Sequence, residues 1–590
     1  MTARQARVRA PQLTGRGGWI GTGGTEATLE DFRGRFLLLD FWTFCCVNCL
    51  HVLAELRLLE ERFADVLTVV GVHSPKFDHE REHAAVLAAV DRYGVHHPVL
   101  DDPDLTTWQQ YAVRAWPTLV LVDPEGYVVH VASGEGHVDG LGRLLAQLVD
   151  EHIARGTLHI GDGPYVALEP APSELSFPGK VLRLPDGTLL VTDTAHHCLV
   201  VLDGDTVVRR LGTGERGRAD GLAPSFAEPQ GLCLLPDGLV LVADTANHLL
   251  RTLDLTTGEV RTVAGTGEVW RPGQPSDGPA LEVALSTPWD VAVHDGEVVV
   301  AMAGTHQLHR FTGDRVEVLA GTTGEGLRDG EALRGYLAQP SGLASAADRL
   351  WFVDAETSSL RWYADGQLGT AVGTGLFDFG HRDGPAADAL LQHPLGVTVL
   401  PDGSVAVCDT YNGAVRRFDP ATGLVSTLMT GLGEPSDAVV DGEHLLVVES
   451  AAHRVTRLRL PDQALVVDGA AQRTQRPLTH LAPGRLALRV VFEPPPGQKL
   501  DESFGPSTRL TVSASPPELL VDGAGASVEL TRTLVLADGV TEGVLHVAAS
   551  AASCDVGVEH PACHVTQQDW GIPVRLDGTL DVLDLLLNGL

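Results

Sequence analysis

Between residue 30 and about residue 155, apolar strand-like runs alternate with amphipathic patterns. FLLLDFW, VLTVVGVH and PTLVLVDPEGYVVHV read as strands. LHVLAELRLLEERFA, EREHAAVLAAVDRYG and DGLGRLLAQLVDEHIARG carry apolar residues at the three-and-four spacing of helices that cover a sheet. This pattern predicts an α/β domain over residues 18–158, preceded by a mobile arm at 1–17. From about residue 165 the period shortens and repeats. Six segments, marked by Pro178, Pro229, Pro288, Pro340, Pro394 and Pro435, each read strand, Asp-Gly turn, strand, small polar turn, strand. A fourth strand then runs into a Gly-Thr loop, as in RTVAGTGE. The prolines are 41 to 59 residues apart. One such unit cannot bury both of its faces, but a closed ring of them can, so the period predicts a six-bladed β-propeller over 165–468. Past 470, alternating runs broken by Pro and Gly, such as RLALRVVFEPPPGQKL and SVELTRTLVLADG, predict an antiparallel β-sandwich over 472–590. The expected fold class is therefore multidomain, α/β plus all-β.

Composition narrows the function. A chain of 590 residues exceeds a single core. With 44% hydrophobic and 20% charged residues it is of ordinary globular type. The formal charge of −34 repels phosphate backbones and anionic headgroups, so neither nucleic acid nor a membrane surface is expected as a partner. No apolar run reaches the roughly 18 residues needed to span a bilayer, and MTARQARVRAPQLTGRGGW lacks the apolar segment of a secretory signal. The expectation is a cytoplasmic chain, where a close cysteine pair is catalytic or metal-binding more often than a structural staple.

Three of the 8 cysteines fall in DFWTFCCVNCL, Asp40 to Leu50. Cys46-Val47-Asn48-Cys49 is a C-x-x-C where a strand gives way to a helix. There the free N–H groups of the first turn and the helix dipole favour a thiolate, and the spacing lets the second thiol close a disulfide with the first. Zinc would need about four ligands, but Cys45, Cys46, Cys49 and His51 crowd one turn and no second C-x-x-C exists. C-type haem is excluded because Leu50, not His, follows Cys49. Burial of small residues in a core is the structural alternative. No metal or cofactor is expected.

DFWTFCCVNC resembles the active-site segment of thioredoxin-like proteins, and Trp116-Pro117-Thr118 followed by LVLVDPEGYVV resembles their cis-proline loop. The resemblance implies Cys46 as nucleophile and Cys49 as resolving thiol. It further implies Asp40 as the buried acid taking the resolving proton, and Pro117 as the cis residue facing the disulfide. Val47-Asn48 stands where thioredoxins usually have Gly-Pro, so the direction of electron flow stays open. Cys45, where thioredoxins usually have Trp, reads either as packing or as a second partner in a mixed disulfide. The motif D-T-x-N-H at Asp244 to His248, with DTAHH and DTYNG as variants, resembles the NHL repeat; Ala303 and Glu449 stand where other copies have Asp. A thioredoxin-like domain with C-C-V-N-C and GVHSPKF, then NHL repeats, then a β-rich tail is similar to the NHL repeat-containing protein 2 family. This implies a thiol–disulfide oxidoreductase that meets a protein substrate or thiol reductant through a mixed disulfide, with a protein partner on the propeller face. The competing implication is a scaffold whose thioredoxin-like domain is redox-sensing or inert.

Other candidates lie outside that motif. Cys554 and Cys563 in SCDVGVEHPACHV read either as a secondary redox pair exchanging with Cys46 or as a quiet cross-hairpin pair. His197, His248, His306 and His453 recur at one place in the repeat. They read as hydrogen-bonding groups between turns or as a site at the channel mouth. The repeated acids Asp193, Asp244, Asp354 and Asp409 are expected to cap turns.

Overall fold

The computed structural model describes residues 8–161, 163–169, 172–376, 378–460, 478–492, 494, 498–500, 507–537, 539–555 and 563–587. Two compact units divide the chain, Met1–Gln472 and Arg473–Leu590.

The first unit opens with β1 (Val8–Arg9), β2 (Gly18–Ile20), β3 (Phe36–Trp42), α1 (Val47–Arg62), β4 (Leu67–His73), α2 (His83–Arg92) and β5 (Val99–Asp101). There follow α3 (Thr106–Gln110), β6 (Thr118–Val122), β7 (Tyr127–Ser133) and α4 (Val138–Arg155). The strands form one sheet in the order β1-β7-β6-β3-β4-β5-β2. β3 lies at its centre, parallel to β4 and antiparallel to β6, with all seven residues buried. A strand covered on both faces reads as a continuous apolar run, which is why FLLLDFW does not alternate. Phe36 and Leu38 meet Val52, Leu56 and Leu145 on one face, while Leu37, Leu39 and Phe41 meet Trp108 and Val113 on the other.

The expectation of a mobile arm at 1–17 is corrected for residues 8–17; residues 1–7 lie outside the described residues. Val8–Arg9 pairs with Tyr127–Val128, Ala10 and Leu13 are buried, and Tyr111 Oη donates to Pro11 O at 2.7 Å. Residues 8–17 are held further by Thr14 against Thr107 and by the Arg16–Asp104 ion pair.

Six consecutive antiparallel sheets follow. Their first strands, Val181–Arg183, Pro229–Leu234, Pro288–His294, Pro340–Ser345, Gly396–Val399 and Pro435–Asp441, touch one another in chain order, and the sixth touches the first. Two sheets have four strands. Three gain a short fifth, Gly278–Pro279, Gly330–Glu331 or Gly384–Pro385, and the sixth has three among the described residues.

The repeated polar residues join these sheets. Asp193, Asp244, Asp354 and Asp409 accept the backbone N–H two residues before a repeat proline, at Ser176, Ala227, Ala338 and Gln392 (2.6 to 2.8 Å); Glu449 does the same for Gly433. In the third repeat the strand register opposes Met302, not Ala303, to the proline, so Met302 occupies the acid's place. His197, His248, His306 and His453 accept through Nδ1 from the residue immediately before a repeat proline, at Glu228, Thr287, Gln339 and Phe177 (3.1 to 3.3 Å). The His453 bond ties the sixth repeat to the first. All six pre-proline residues, Phe177, Glu228, Thr287, Gln339, His393 and Glu434, have positive φ between 44° and 63°. That backbone turns each of their side chains toward the rim.

The second unit contains two sheets around one apolar cluster that includes Leu486, Leu488, Leu510, Leu534, Leu545 and Val574. These sheets are mixed, which corrects the purely antiparallel expectation: Thr479–Leu481 runs parallel to Cys563–Leu580, and Gly484–Val491 runs parallel to Val582–Leu586. The cause is that two nearly continuous stretches, 479–491 and 563–586, run side by side and change sheets together.

Candidate active site

Cys46 ends the turn that leaves β3 and is the residue immediately before the first helical residue of α1, Val47. Its extended backbone (φ −88°, ψ 109°) closes the turn, and its carbonyl accepts from Cys49 N (3.0 Å) and Leu50 N (3.2 Å). Cys46 is half-buried and Cys49, one turn on, is fully buried; neither is bridged. Burial first, then the adjoining Cys46 thiol and the Asp40 charge, pushes the Cys49 thiol far up. Cys45 is buried as well, its thiol pushed up by burial and then by Glu356 and Glu80.

Asp40 lies on β3 below this pair. Neither carboxyl oxygen has a hydrogen bond among the described residues, and burial, with a smaller push from Glu60, raises its pKa to about 8. The Trp116–Pro117 peptide is cis. Thr118 opposes Phe41 in the sheet, which places buried Pro117 at the sheet end from which the cysteine turn departs. Trp116 Nε1 donates to Ser74 O (2.8 Å), and its ring joins the cluster containing Cys45, Cys46 and Cys49.

Glu80 organises the surrounding loops and escaped the sequence reading. Fully buried, it accepts Thr43 Oγ1 (2.5 Å) and Cys45 N (3.0 Å) on one oxygen, and Lys76 N (2.8 Å) and Phe77 N (2.9 Å) on the other. One carboxylate therefore joins the C-C-V-N-C turn to the SPKF loop.

The cysteine turn faces the rim of the repeats, where five of the six pre-proline residues make contact alongside others such as Glu356, Gln392 and Tyr411. Thr287 Oγ1 meets His51 Nε2, whose other nitrogen lies 2.7 Å from Glu135. Gln339 Oε1 accepts Val47 N (2.6 Å), while its Nε2 donates to Cys45 O (3.0 Å) and to Glu356 Oε1 (2.8 Å). Glu434 pairs with Arg92 and with His79 (2.9 Å), and these cations hold its pKa at about 2 against the opposing effect of burial. His393 packs on Phe77 with ring centroids 5.1 Å apart, and Phe177 lies under the Arg92 guanidinium at 4.7 Å. Glu228 shares with Arg57 and Tyr93 the lining of a cavity of about 420 Å³. A larger cavity, about 680 Å³, opens beside α1 between His51, Arg57, Arg216, His248 and Trp289.

The histidines singled out at one place in the repeat are thus bonds between neighbouring repeats, and the repeated acids hold turns. Three acids also neutralise arginines that the sequence did not flag. Fully buried Arg251, Arg361 and Arg416 pair with Asp244 (3.0 Å), Asp354 (2.9 Å) and Asp409 (2.8 Å). The axis of the repeats is filled by another unflagged cation: Lys180 Nζ donates to Leu395 O (2.7 Å) and Asp290 (3.2 Å), with Asp437 at 3.8 Å. Cys198, Cys233 and Cys408 are buried, the first two thiols pushed up to about 12 by burial. In the second unit Cys554 and Cys563 oppose each other in the strand register, while residues 556–562 lie outside the described residues.

Among the described residues no helix is long and apolar enough to cross a membrane. A family model described as Thioredoxin-like matches residues 34–128, and one described as NHL repeat matches 226–253 and 391–418. Protein SUPPRESSOR OF QUENCHING 1, chloroplastic, of Arabidopsis thaliana is 35% identical over 480 residues, 75% of this chain but 45% of the relative, so the chain spans under half of that protein. Thiol-disulfide oxidoreductase YkuV of Bacillus subtilis is 23% identical over 129 residues, 22% of this chain and 85% of that protein. NHL repeat-containing protein 2 of Bos taurus is 33% identical over 602 residues, 87% of this chain and 82% of the relative. With that coverage, and with the cysteine turn and repeats in place, the chain belongs to the NHL repeat-containing protein 2 family.

Proposed function

We propose that this chain is a thiol–disulfide oxidoreductase that acts on protein disulfides through Cys46 and Cys49. In this reading a thioredoxin-like domain, residues 18–158, works with a six-bladed propeller, 165–468, and the chain continues into a β-sandwich domain, 472–590. The observation that carries it is one constellation: a half-buried Cys46 at the start of α1, a buried Cys49 one turn on, and the buried Asp40 carboxyl, which has no hydrogen bond among the described residues. The name of the Bacillus relative, a thiol-disulfide oxidoreductase, agrees with it.

The Cys46 thiolate attacks one sulfur of a substrate disulfide. The Cys46–substrate bond forms as the substrate S–S bond breaks, and the departing substrate thiolate takes a proton from water. Cys49 then gives its proton to Asp40 and attacks the Cys46 sulfur. A Cys46–Cys49 disulfide forms and the second substrate thiol leaves, so the substrate gains two electrons and the protein loses two. With a pKa of about 8, Asp40 exchanges that proton near neutrality in either direction. An external thiol reductant restores the dithiol. Pro117 would face the substrate backbone, and the repeats would position the protein partner.

The scaffold reading has one observation of its own: Gln339 binds Cys45 and Val47 on either side of Cys46 and closes the turn from the rim. One assay separates the readings. Reduction of insulin disulfides by dithiothreitol should accelerate with the wild type and not with Cys46→Ser, and Cys49→Ser should accumulate a Cys46–insulin mixed disulfide. Equal rates with and without the protein, and no adduct on Cys49→Ser, would refute the enzyme reading and leave the scaffold.

A further inference from the structure

Val47 N–H and Cys45 C=O flank the nucleophile, and both are held by Gln339, a residue of the repeats. Gln339 Nε2 also donates to Glu356, and Glu356 pairs with Lys76, a lysine of the SPKF loop whose backbone N–H shares the Glu80 carboxylate with the backbone N–H of Cys45. Glu356 and Gln339 are almost wholly buried, 2% and 5% exposed. A continuous chain of polar contacts thus runs from Lys76 through Glu356 and Gln339 of the repeats to both backbone neighbours of Cys46. The other titratable or charged groups near this turn include Asp40, Cys49, His51, His73, His79, Glu80, Arg92 and Tyr93 from the thioredoxin-like side, with Glu325, His393 and Tyr411 from the repeats.

We propose that Glu356 and Gln339 of the repeats are positioning residues for the Cys46 thiol. Glu356 sets how much of the Lys76 positive charge reaches that thiol, and Gln339 fixes the backbone that carries it. The inference rests on the thiol chemistry proposed above and adds a regulator: the electrostatics of the redox turn are shared between two parts of the chain. A carboxylate that competes for the ammonium disfavours the thiolate, and the ammonium favours it. The two groups therefore act on Cys46 with opposite sign, whereas loosened packing would act on both variants alike.

The test is the pH dependence of Cys46 alkylation by iodoacetamide in the full chain, with the modified sulfur located by fragment-ion mass spectrometry. Glu356→Gln keeps the shape and the Gln339 contact while removing the charge, and should lower the alkylation midpoint by about one pH unit. Lys76→Met should raise it by a similar amount, each shift being about tenfold in thiolate fraction below the midpoint. Gln339→Met, which removes the clamp without changing charge, should slow closure of the Cys46–Cys49 disulfide by oxidised glutathione while moving the midpoint less than either charge variant. Near-ultraviolet circular dichroism confirms that each variant is folded; should Lys76→Met fail that check, Glu356→Gln decides alone. Midpoints of Glu356→Gln and wild type within 0.2 unit, or shifts of the same sign in both charge variants, would overturn the proposal. Failure of the oxidoreductase reading shows elsewhere, as absence of insulin reduction, whatever these midpoints do.

Discussion

Asp40→Asn should stabilise the thioredoxin-like domain at neutral pH while slowing the chemistry. The buried carboxyl titrates at about 8 because burial, with a smaller push from Glu60, is offset by no hydrogen bond among the described residues. In the unfolded chain an aspartate titrates near 3.9. The folded pKa is the higher one, so the folded state holds the proton that the unfolded state releases. The contribution is fully present below about pH 4 and is lost as pH rises through about 8, at about 1.4 kcal/mol per unit between the two. From pH 5 to pH 7.5 the wild type should therefore lose about 3 kcal/mol from this group. Asparagine cannot ionise, so the variant does not follow. Whatever fixed amount the buried amide costs is the same at both pH values, and the change in the difference isolates Asp40. The assay is urea unfolding at a series of pH values, read by protection of the Phe36–Trp42 and Leu67–His73 amides in a brief hydrogen-exchange pulse at one fixed pH. Reading the two central strands follows this domain separately from the repeats, which a whole-chain transition would not. The same variant should prolong the mixed disulfide, because Cys49 loses its proton acceptor. A variant-minus-wild-type stability difference equal at pH 5 and pH 7.5 to within about 0.5 kcal/mol would refute the assignment of that titration to Asp40.

Two further predictions concern the repeats. Lys180→Met leaves Asp290 and Asp437 without their shared cation and should cost about 3–5 kcal/mol, lowering the melting midpoint by on the order of 5–10 °C in scanning calorimetry; adding Asp290→Asn and Asp437→Asn should recover most of that loss, and no recovery would show that Lys180 acts through packing instead. Arg251→Leu should be similarly costly because Arg251 is fully buried between Asp244 and Asp220, whereas Arg454→Leu, at a 61% exposed partner of Glu449, should cost less than about 1 kcal/mol; equal losses in thermal unfolding would contradict the buried-network account.

The parts legible from sequence were those in which residue type and place agree. β3 stands out because a strand buried on both faces must be apolar throughout, and Cys46 stands out because a C-x-x-C at its end has few structural reasons to exist. The repeat acids and histidines were visible because each makes the same bond in several copies: an acid to the N–H two residues before the proline, a histidine to the N–H immediately before it. The exception at Met302 shows in strand register and in its spacing, four residues before His306 as Asp244 is before His248, while counting from the proline slips by one. Glu80 and Lys180 were hidden for a different reason. In composition each is an ordinary charged residue, and only the fold gathers four backbone and hydroxyl donors around the first and two carboxylates around the second.

The seam beside Cys46 was hidden more deeply. Many of its contacts come from Phe177, Thr287, Gln339, His393 and Glu434, five positions with five different residue types, so no residue motif marks them. What they share is a backbone state, positive φ immediately before the repeat proline, that leaves the side chain free to vary while its direction stays fixed. The repeat thus supplies equivalent mounting points, and three of them carry side chains matched to a polar neighbour across the seam. Thr287 meets the imidazole of His51, Glu434 meets the cations Arg92 and His79, and Gln339, able both to donate and to accept, meets the Cys45 carbonyl and the Val47 amide. A glutamate at position 339 could accept from Val47 but could not donate to Cys45, and would face Glu356 with like charge. That chemistry, and not the repeat, requires an amide beside the nucleophile.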